Sequence, residues 1–113
     1  MIDPEILAVH RQELRRGSVV VASLVALRTP GYGYGLLETL ERSGVPVDAN
    51  TLYPLLRRLE KQGLLTSEWN HDTPRPRKFY RTSEQGDALA TALLRDWADL
   101  DRALRDLTPG GTP

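Results

Sequence analysis

The sequence predicts a mainly helical α+β chain that carries a single β-hairpin. Apolar residues recur at helical spacing in four stretches of the chain. Only two short segments, residues 64–70 and 77–82, favour strands. The link between them contains two prolines, which suit the tip of a hairpin and cannot lie inside a ladder. A chain of 113 residues, 40% of them hydrophobic, can bury one modest core.

The first helical stretch begins after Asp3, an N-cap residue that is followed by a proline and a glutamate. Its pattern continues to about Arg28, and Gly17 either kinks it or divides it in two. The second half is apolar nearly all round, which indicates burial on several sides. A second, shorter helix is predicted from about Tyr34 to Arg42.

The third helix begins at Asp48 or Asn50 and ends before Gly63. Its leucines follow the i, i+3, i+4, i+7 pattern of one buried stripe, formed by Leu52, Leu55, Leu56 and Leu59. The opposite side is polar and basic: it carries Asn50, Pro54, Arg57 and Lys61, with Tyr53, Thr51 and Arg58 at its edges. Such a face fits the major groove of DNA, with Asn50 and Arg57 suited to base edges. A charged face that is merely solvated remains the alternative.

The last helix begins after the N-cap Ser83 and runs to about Leu107. Its apolar residues repeat with an average period of 3.5, at Ala90, Leu93, Trp97, Leu100, Leu104 and Leu107. This period indicates a helix that packs along another helix. We predict a dimer interface at Leu93, Trp97, Leu100, Leu104 and Leu107.

The order of these elements is that of a helix-turn-helix followed by a β wing. The hairpin carries Arg75, Arg77 and Lys78 at or near its tip, where basic side chains can reach a phosphate backbone. A plain solubilising turn would have the same composition. A winged helix would bring the hairpin and the third helix onto one surface.

The charge distribution supports this interpretation, although the net charge is zero. Residues 10–82 contain 12 Lys/Arg against 7 Asp/Glu, whereas residues 83–113 contain 3 against 6. A basic middle is thus flanked by acidic ends, and arginine, which binds phosphate in a bidentate manner, supplies 13 of the 15 positive charges.

Other function classes lack the residues that they need. The chain contains no cysteine. Its two histidines, His10 and His71, are not at metal-ligand spacing, and neither stands in an arrangement with Ser or Asp that suggests a catalytic triad. We therefore expect no enzyme activity, metal or cofactor. No apolar run reaches the ~20 residues of a membrane span, and the N-terminus lacks the basic start of a signal peptide. We expect a cytoplasmic protein.

Several blocks of the sequence resemble the PadR family of bacterial transcriptional regulators. These blocks are Tyr32-Gly-Tyr34, the run from Thr51 to Leu65 that begins Thr-Leu-Tyr-Pro, Ser67-Glu-Trp69, the segment Arg77–Arg81, and Ser83-Glu-Gln-Gly86. They occur in the family's order over about residues 14–107. The single C-terminal helix is similar to that of the small subfamily.

The resemblance implies a winged-helix homodimer, usually a repressor, that binds an operator and releases it when a small molecule binds. It places Thr51, Tyr53, Arg57, Arg58 and Lys61 on a recognition helix. It also places Tyr34 near backbone phosphate, and Arg77 and Lys78 on the wing. The chain departs from the family at Tyr32, where His is more common, and at Ser83, where Thr is.

These observations predict four segments: a leader helix (1–13), a winged-helix DNA-binding domain (14–82), a dimerisation helix (83–107) and a disordered tail (108–113). The predicted partners are operator DNA with an inverted repeat, a second copy of the chain, and a small planar or aromatic effector. Trp97 lies in the middle of the seam and belongs either to the dimer core or to an effector pocket. The alternative function is a winged helix that binds protein instead of DNA.

Overall fold

The computed structural model describes residues 1–107 and confirms the predicted mixture of helices with a small sheet. Within these residues the elements follow the order α1 (Pro4–Arg15), α2 (Ser18–Ala26), β1 (Gly31–Tyr32), α3 (Gly33–Arg42), α4 (Ala49–Lys61), β2 (Leu65–Asn70), β3 (Arg77–Thr82) and α5 (Glu84–Asp106). The tail predicted to be disordered lies outside the described residues.

The N-terminal stretch forms two helices that are separated at Arg16 and Gly17. Asp3 caps α1, since its carboxylate accepts a hydrogen bond of 2.8 Å from the backbone N–H of Glu5. No residue of α1 is buried. In contrast, α2 packs into the core, as its nearly uniform apolarity predicts.

The helices α3 and α4 form the helix-turn-helix, and Gly44 adopts a positive φ of +88° in the turn between them. Asp48 caps α4: its carboxylate accepts a hydrogen bond of 2.8 Å from the backbone N–H of Thr51. Gly63, with φ +77°, follows the end of this helix. All four leucines of the predicted stripe are buried, so the inward orientation of that side of α4 is confirmed.

The three strands form one antiparallel sheet in the order β1-β3-β2. The hairpin β2–β3 runs in register from Leu65 opposite Thr82 to Asn70 opposite Arg77. The short strand β1 pairs with β3 on its other side, where Tyr32 lies opposite Phe79. The sequence analysis did not predict β1, because two residues are too few to show the alternation that indicates a strand.

The core lies between α2, α3, α4, the sheet and the first turns of α5. Leucines from these elements make up most of it, together with Tyr80 and Ala90. The start of α5 is fixed by Ser83, whose hydroxyl accepts a 3.0 Å hydrogen bond from the backbone N–H of Gly86. Beyond Leu93, which is half-buried, α5 extends away from the core and its side chains are exposed.

Candidate DNA-binding surface

The exposed side of α4 is a basic surface. The structure places Asn50, Thr51, Pro54, Arg57, Arg58 and Lys61 on it, all of them exposed. Within residues 1–107, the ion pairs involve none of the three basic side chains. These cations are therefore available to an external anion, and the buried leucines behind them hold the helix in place.

Tyr53 differs from its neighbours on α4 because its ring is half-buried against the start of α3. The ring lies so close to Gly33 that a Cβ added there would be 2.4 Å from Cε1 of Tyr53. A side chain at position 33 would displace the ring. Because Gly33 has no side chain, the ring of Tyr53 can occupy this position at the edge of the basic surface.

The face of the hairpin that is turned toward α4 holds Lys78 in an ion pair. Its ammonium lies 3.0 Å from a carboxylate oxygen of Glu60 on α4. The other oxygen of Glu60 accepts a hydrogen bond from the hydroxyl of Ser67 on β2. The Ser67 hydroxyl first, and then Lys78, hold the pKa of Glu60 below its ordinary value, against the effect of burial. The hydrogen bond to Glu60 raises the pKa of Lys78.

The opposite face of the hairpin holds Arg77 against two tyrosines. Its guanidinium carbon lies 5.4 Å from the ring centroid of Tyr32 and 5.3 Å from that of Tyr34. One guanidinium nitrogen also donates a hydrogen bond of 2.8 Å to the hydroxyl of Tyr34. Arg75 is exposed nearby in the link between the strands. The wing therefore presents two cations, Arg75 and Arg77, which have no acidic partner among residues 1–107.

Four side chains that orient these cations were missed by the sequence analysis. They are Glu60, Ser67, Tyr32 and Asn70, and the last of these donates a 2.7 Å hydrogen bond to the hydroxyl of Tyr32. These contacts join α4, β1 and the two strands of the hairpin, so no spacing within one element reveals them. The one signal in the sequence is the pair of aromatic residues in Tyr32-Gly-Tyr34.

The predicted dimer seam is largely uncovered in the single chain. The exposed fractions are 44% for Trp97, 55% for Leu100, 56% for Leu104 and 78% for Leu107. Ala90 instead lies in the chain's own core. A groove of about 950 Å³ does exist between α1, α2 and α4, but Trp97 is not among the residues that line it.

The matches to known proteins agree with this geometry. Residues 22–92 match the model of the transcriptional regulator PadR-like family. The chain belongs to the PadR-like family. The matched segment begins within α2 and ends in α5, so it contains the whole of the helix-turn-helix and the wing.

Individual transcriptional regulators resemble the chain over most of its length. It is 39% identical over 79 residues to transcriptional regulator Rv3488 of Mycobacterium tuberculosis, which covers 70% of this chain and 71% of that protein. A PadR family transcriptional regulator from Eggerthella lenta is similar in structure, with a TM-score of 0.87, 45% identity, and coverage of 91% and 92% of the two chains. A PadR-like transcription factor from Bacteroides fragilis has a TM-score of 0.75 and 28% identity, with coverage of 87% and 97%.

Membership of the PadR-like family establishes a DNA-binding transcriptional regulator and confirms that the chain is not an enzyme. The alternative of a winged helix without DNA binding is thereby set aside. Within residues 1–107, no helix is long and apolar enough to cross a membrane. In the same part of the chain, no three His, Asp or Glu side chains are grouped so that they could hold a metal ion.

Proposed function

We propose that this PadR-family chain is a cytoplasmic repressor that binds an inverted-repeat operator as a homodimer and releases it when a small molecule binds. The observation that carries the proposal is the exposed basic side of α4, opposite the buried leucine stripe. In the bound state this side enters the major groove, with Asn50 and Arg57 at base edges and Arg58 and Lys61 at phosphates.

The wing supplies the second set of proposed DNA contacts. Arg75 and Arg77 are exposed and have no acidic partner among the described residues 1–107, so they suit the phosphate backbone or the minor groove. Tyr34 lies beside Arg77 and is half exposed, which places its hydroxyl at the same surface. Lys78 is a weaker candidate than Arg77 because its ammonium is already paired with Glu60. We assign Lys78 chiefly to holding the wing against α4.

The apolar surface of α5 supports the homodimer. A large apolar patch on a single chain marks an interaction surface, and the period of 3.5 selects a helix as its partner. A second apolar patch lies on α1, where Ile6 and Val9 are more than half exposed. We propose that residues 83–107 form the dimerisation helix, that α1 adds to the same interface, and that residues 14–82 form the DNA-binding domain.

The dimer fixes the form of the operator. Two-fold symmetry places the two α4 helices about one turn of DNA apart, ~34 Å, which requires an inverted repeat. We place the effector, a planar or aromatic molecule, beside Trp97, where the second chain would close a cavity over the indole. Release of DNA then follows if the effector changes the packing of the two α5 helices and with it the spacing of the α4 helices.

A gel-shift assay with the DNA upstream of the chain's own gene tests the proposal. We expect a discrete complex that contains two chains, and an affinity that falls as the salt concentration rises, since phosphate contacts release counterions. A scrambled duplex of the same length should bind more weakly. Equal binding to both duplexes, or no binding at low salt, would refute the operator-binding proposal.

The effector has its own test. Planar aromatic compounds should quench tryptophan fluorescence and weaken the DNA complex, and both effects should be lost in Trp97→Phe. Trp69 lies on β2 and is also exposed, so quenching that persists in Trp97→Phe would come from the wing and would exclude the proposed pocket.

A further inference from the structure

We propose that Tyr32 is a positioning residue, which holds Arg77 and the base of the wing in the orientation in which Arg77 meets DNA. The inference rests on the proposed function, since it assumes that Arg77 contacts the duplex. It assigns to Tyr32 a role in DNA binding that does not require the ring itself to touch DNA.

The position of the Tyr32 ring is set by the backbone pairing of β1 and by a neighbouring ring. Tyr32 belongs to β1 and pairs in register with Phe79 of β3, next but one to Arg77. The two rings meet edge to face, with centroids 6.0 Å apart and an angle of 77° between their planes. The ring of Tyr32 is therefore held both by the ladder and by an aromatic neighbour. A side chain held in this way can order a more flexible one.

The ring of Tyr32 orients the side chain of Arg77 without pairing its positive charge with an acidic group. The guanidinium carbon of Arg77 lies 5.4 Å from the centroid of the Tyr32 ring. Within residues 1–107, the one hydrogen bond of the Arg77 side chain is donated to the hydroxyl of Tyr34. The rings of Tyr32 and Tyr34 are nearly parallel, with 15° between their planes and 6.3 Å between their centroids. Aromatic faces restrict the long side chain while its positive charge remains available to a phosphate.

Lys78, one residue further along β3, is held in a different way from Arg77. Its ammonium is held by the carboxylate of Glu60 at 3.0 Å, so its orientation comes with neutralisation of its charge. Neighbouring cations thus face opposite sides of the hairpin and are held in different ways. Among the cations of residues 1–107, only Arg77 is held in place by aromatic contacts and also has no acidic partner for its charge. This combination favours binding to an anion.

The hydroxyl of Tyr32 also contacts the other strand of the wing, β2. It accepts a hydrogen bond of 2.7 Å from the side-chain nitrogen of Asn70, the last residue of β2. The side-chain oxygen of Asn70 in turn accepts a 3.0 Å hydrogen bond from the backbone N–H of Asp72. Tyr32 therefore connects to both strands of the wing at the point where the link between them begins.

A double-mutant cycle in DNA binding tests the positioning role. The probe is a 30-base-pair duplex from the region upstream of the chain's own gene, and the full chain is titrated by fluorescence anisotropy. Ordering one long side chain only on binding costs affinity, so Tyr32→Leu should weaken binding about 2- to 12-fold. In the Arg77→Ala background the same substitution should cause a clearly smaller loss, because the contact of Tyr32 with Arg77 is no longer there to be removed. Equal losses in both backgrounds, or no loss in either, overturn the inference.

A second cycle keeps the ring and removes only the hydroxyl, which guards against misfolding of Tyr32→Leu. Tyr32→Phe and Asn70→Ala delete the two ends of one hydrogen bond, so each should weaken binding and their effects should not add. Additive effects would mean that the bond does not position the wing. If the unsubstituted chain fails to bind any duplex, the proposed function fails; if it binds and the cycles show no coupling, only the role of Tyr32 fails.

Discussion

The contact between Gly86 and the backbone of Leu64 provides a sharp test of how α5 is joined to the winged helix. Gly86 lies in the first turn of α5 and is buried. A Cβ added there would lie 2.1 Å from the carbonyl oxygen of Leu64 and 2.9 Å from Cγ2 of Thr82, whereas ordinary contact is 3.4–4 Å. Gly86→Ala therefore requires α5 or the start of β2 to move by more than an ångström.

The expected loss of stability follows from two opposing effects. Overpacking costs ~1–3 kcal/mol, and the upper end applies because the nearest atom belongs to the backbone and cannot rotate away. The higher helix propensity of alanine offsets ~1 kcal/mol of this loss of unfolding free energy. We expect Gly86→Ala to lose ~2 kcal/mol of unfolding free energy, which lowers Tm by ~8–16 °C for a domain of this size.

Gly35→Ala is the matched control. Gly35 lies in α3, and a Cβ added there would meet no atom of residues 1–107 within 4 Å outside its chain neighbours and its own helix backbone. The Gly35→Ala variant should have a free energy of unfolding that is ~0.5–1 kcal/mol higher, because alanine has the higher helix propensity. Both variants are unfolded by heat and by urea at the same chain concentration, because the proposed dimer would make Tm depend on concentration. If Gly86→Ala proves as stable as Gly35→Ala, the close packing of α5 on Leu64 is wrong.

The remaining predictions concern DNA, assembly and pH. Arg57→Ala should weaken binding to the upstream duplex by ~1–3 kcal/mol more than to a scrambled duplex, and equal weakening would make Arg57 a phosphate contact only. Leu100→Asp should give monomers in sedimentation experiments, while Ala98→Asp, on the other side of α5, should not; a dimer in both would exclude this seam. Because the pKa of Glu60 is lowered, its ionised form stabilises the fold. The stabilisation by Glu60 should be complete above its unfolded pKa of ~4.3 and should be lost as the pH falls through the lowered folded-state pKa. Urea unfolding should therefore show a larger difference between the unsubstituted chain and Glu60→Gln at pH 7 than at pH 3, and equal differences at the two pH values would refute this role.

The helical framework of the chain was predictable because its signals are periodic. The stripe of leucines on α4 recurs over two turns, and only one orientation of that helix buries it. The apolar seam on α5 extends over several turns and indicated a long helix there. The caps at Asp3 and Ser83 marked the starts of two helices, and the structure confirms both. For α4 the sequence left Asp48 and Asn50 as alternatives, and the structure shows that Asp48 is the cap. The division between α1 and α2 at Gly17 was one of two outcomes that the sequence left open.

The contacts that orient the candidate site were not predictable in the same way. Glu60 and Lys78 are 18 residues apart, and Tyr34 and Arg77 are 43 apart, so they meet only when the hairpin folds back onto the helices. The sequence therefore grouped Arg77 with Lys78 as equivalent wing cations. The structure separates them, because alternate residues of a strand point to opposite faces of the sheet.

The exposure of α1 has a consequence for how this helix folds. A helix of 12 residues is marginal in water by itself, and none of the side chains of α1 is buried within one chain. In the proposed dimer, the second chain would supply the packing that α1 lacks. Hydrogen exchange at its backbone amides should then be rapid in dilute solution and slow in concentrated solution, whereas exchange in α4 should change much less, which would make α1 the reporter of assembly.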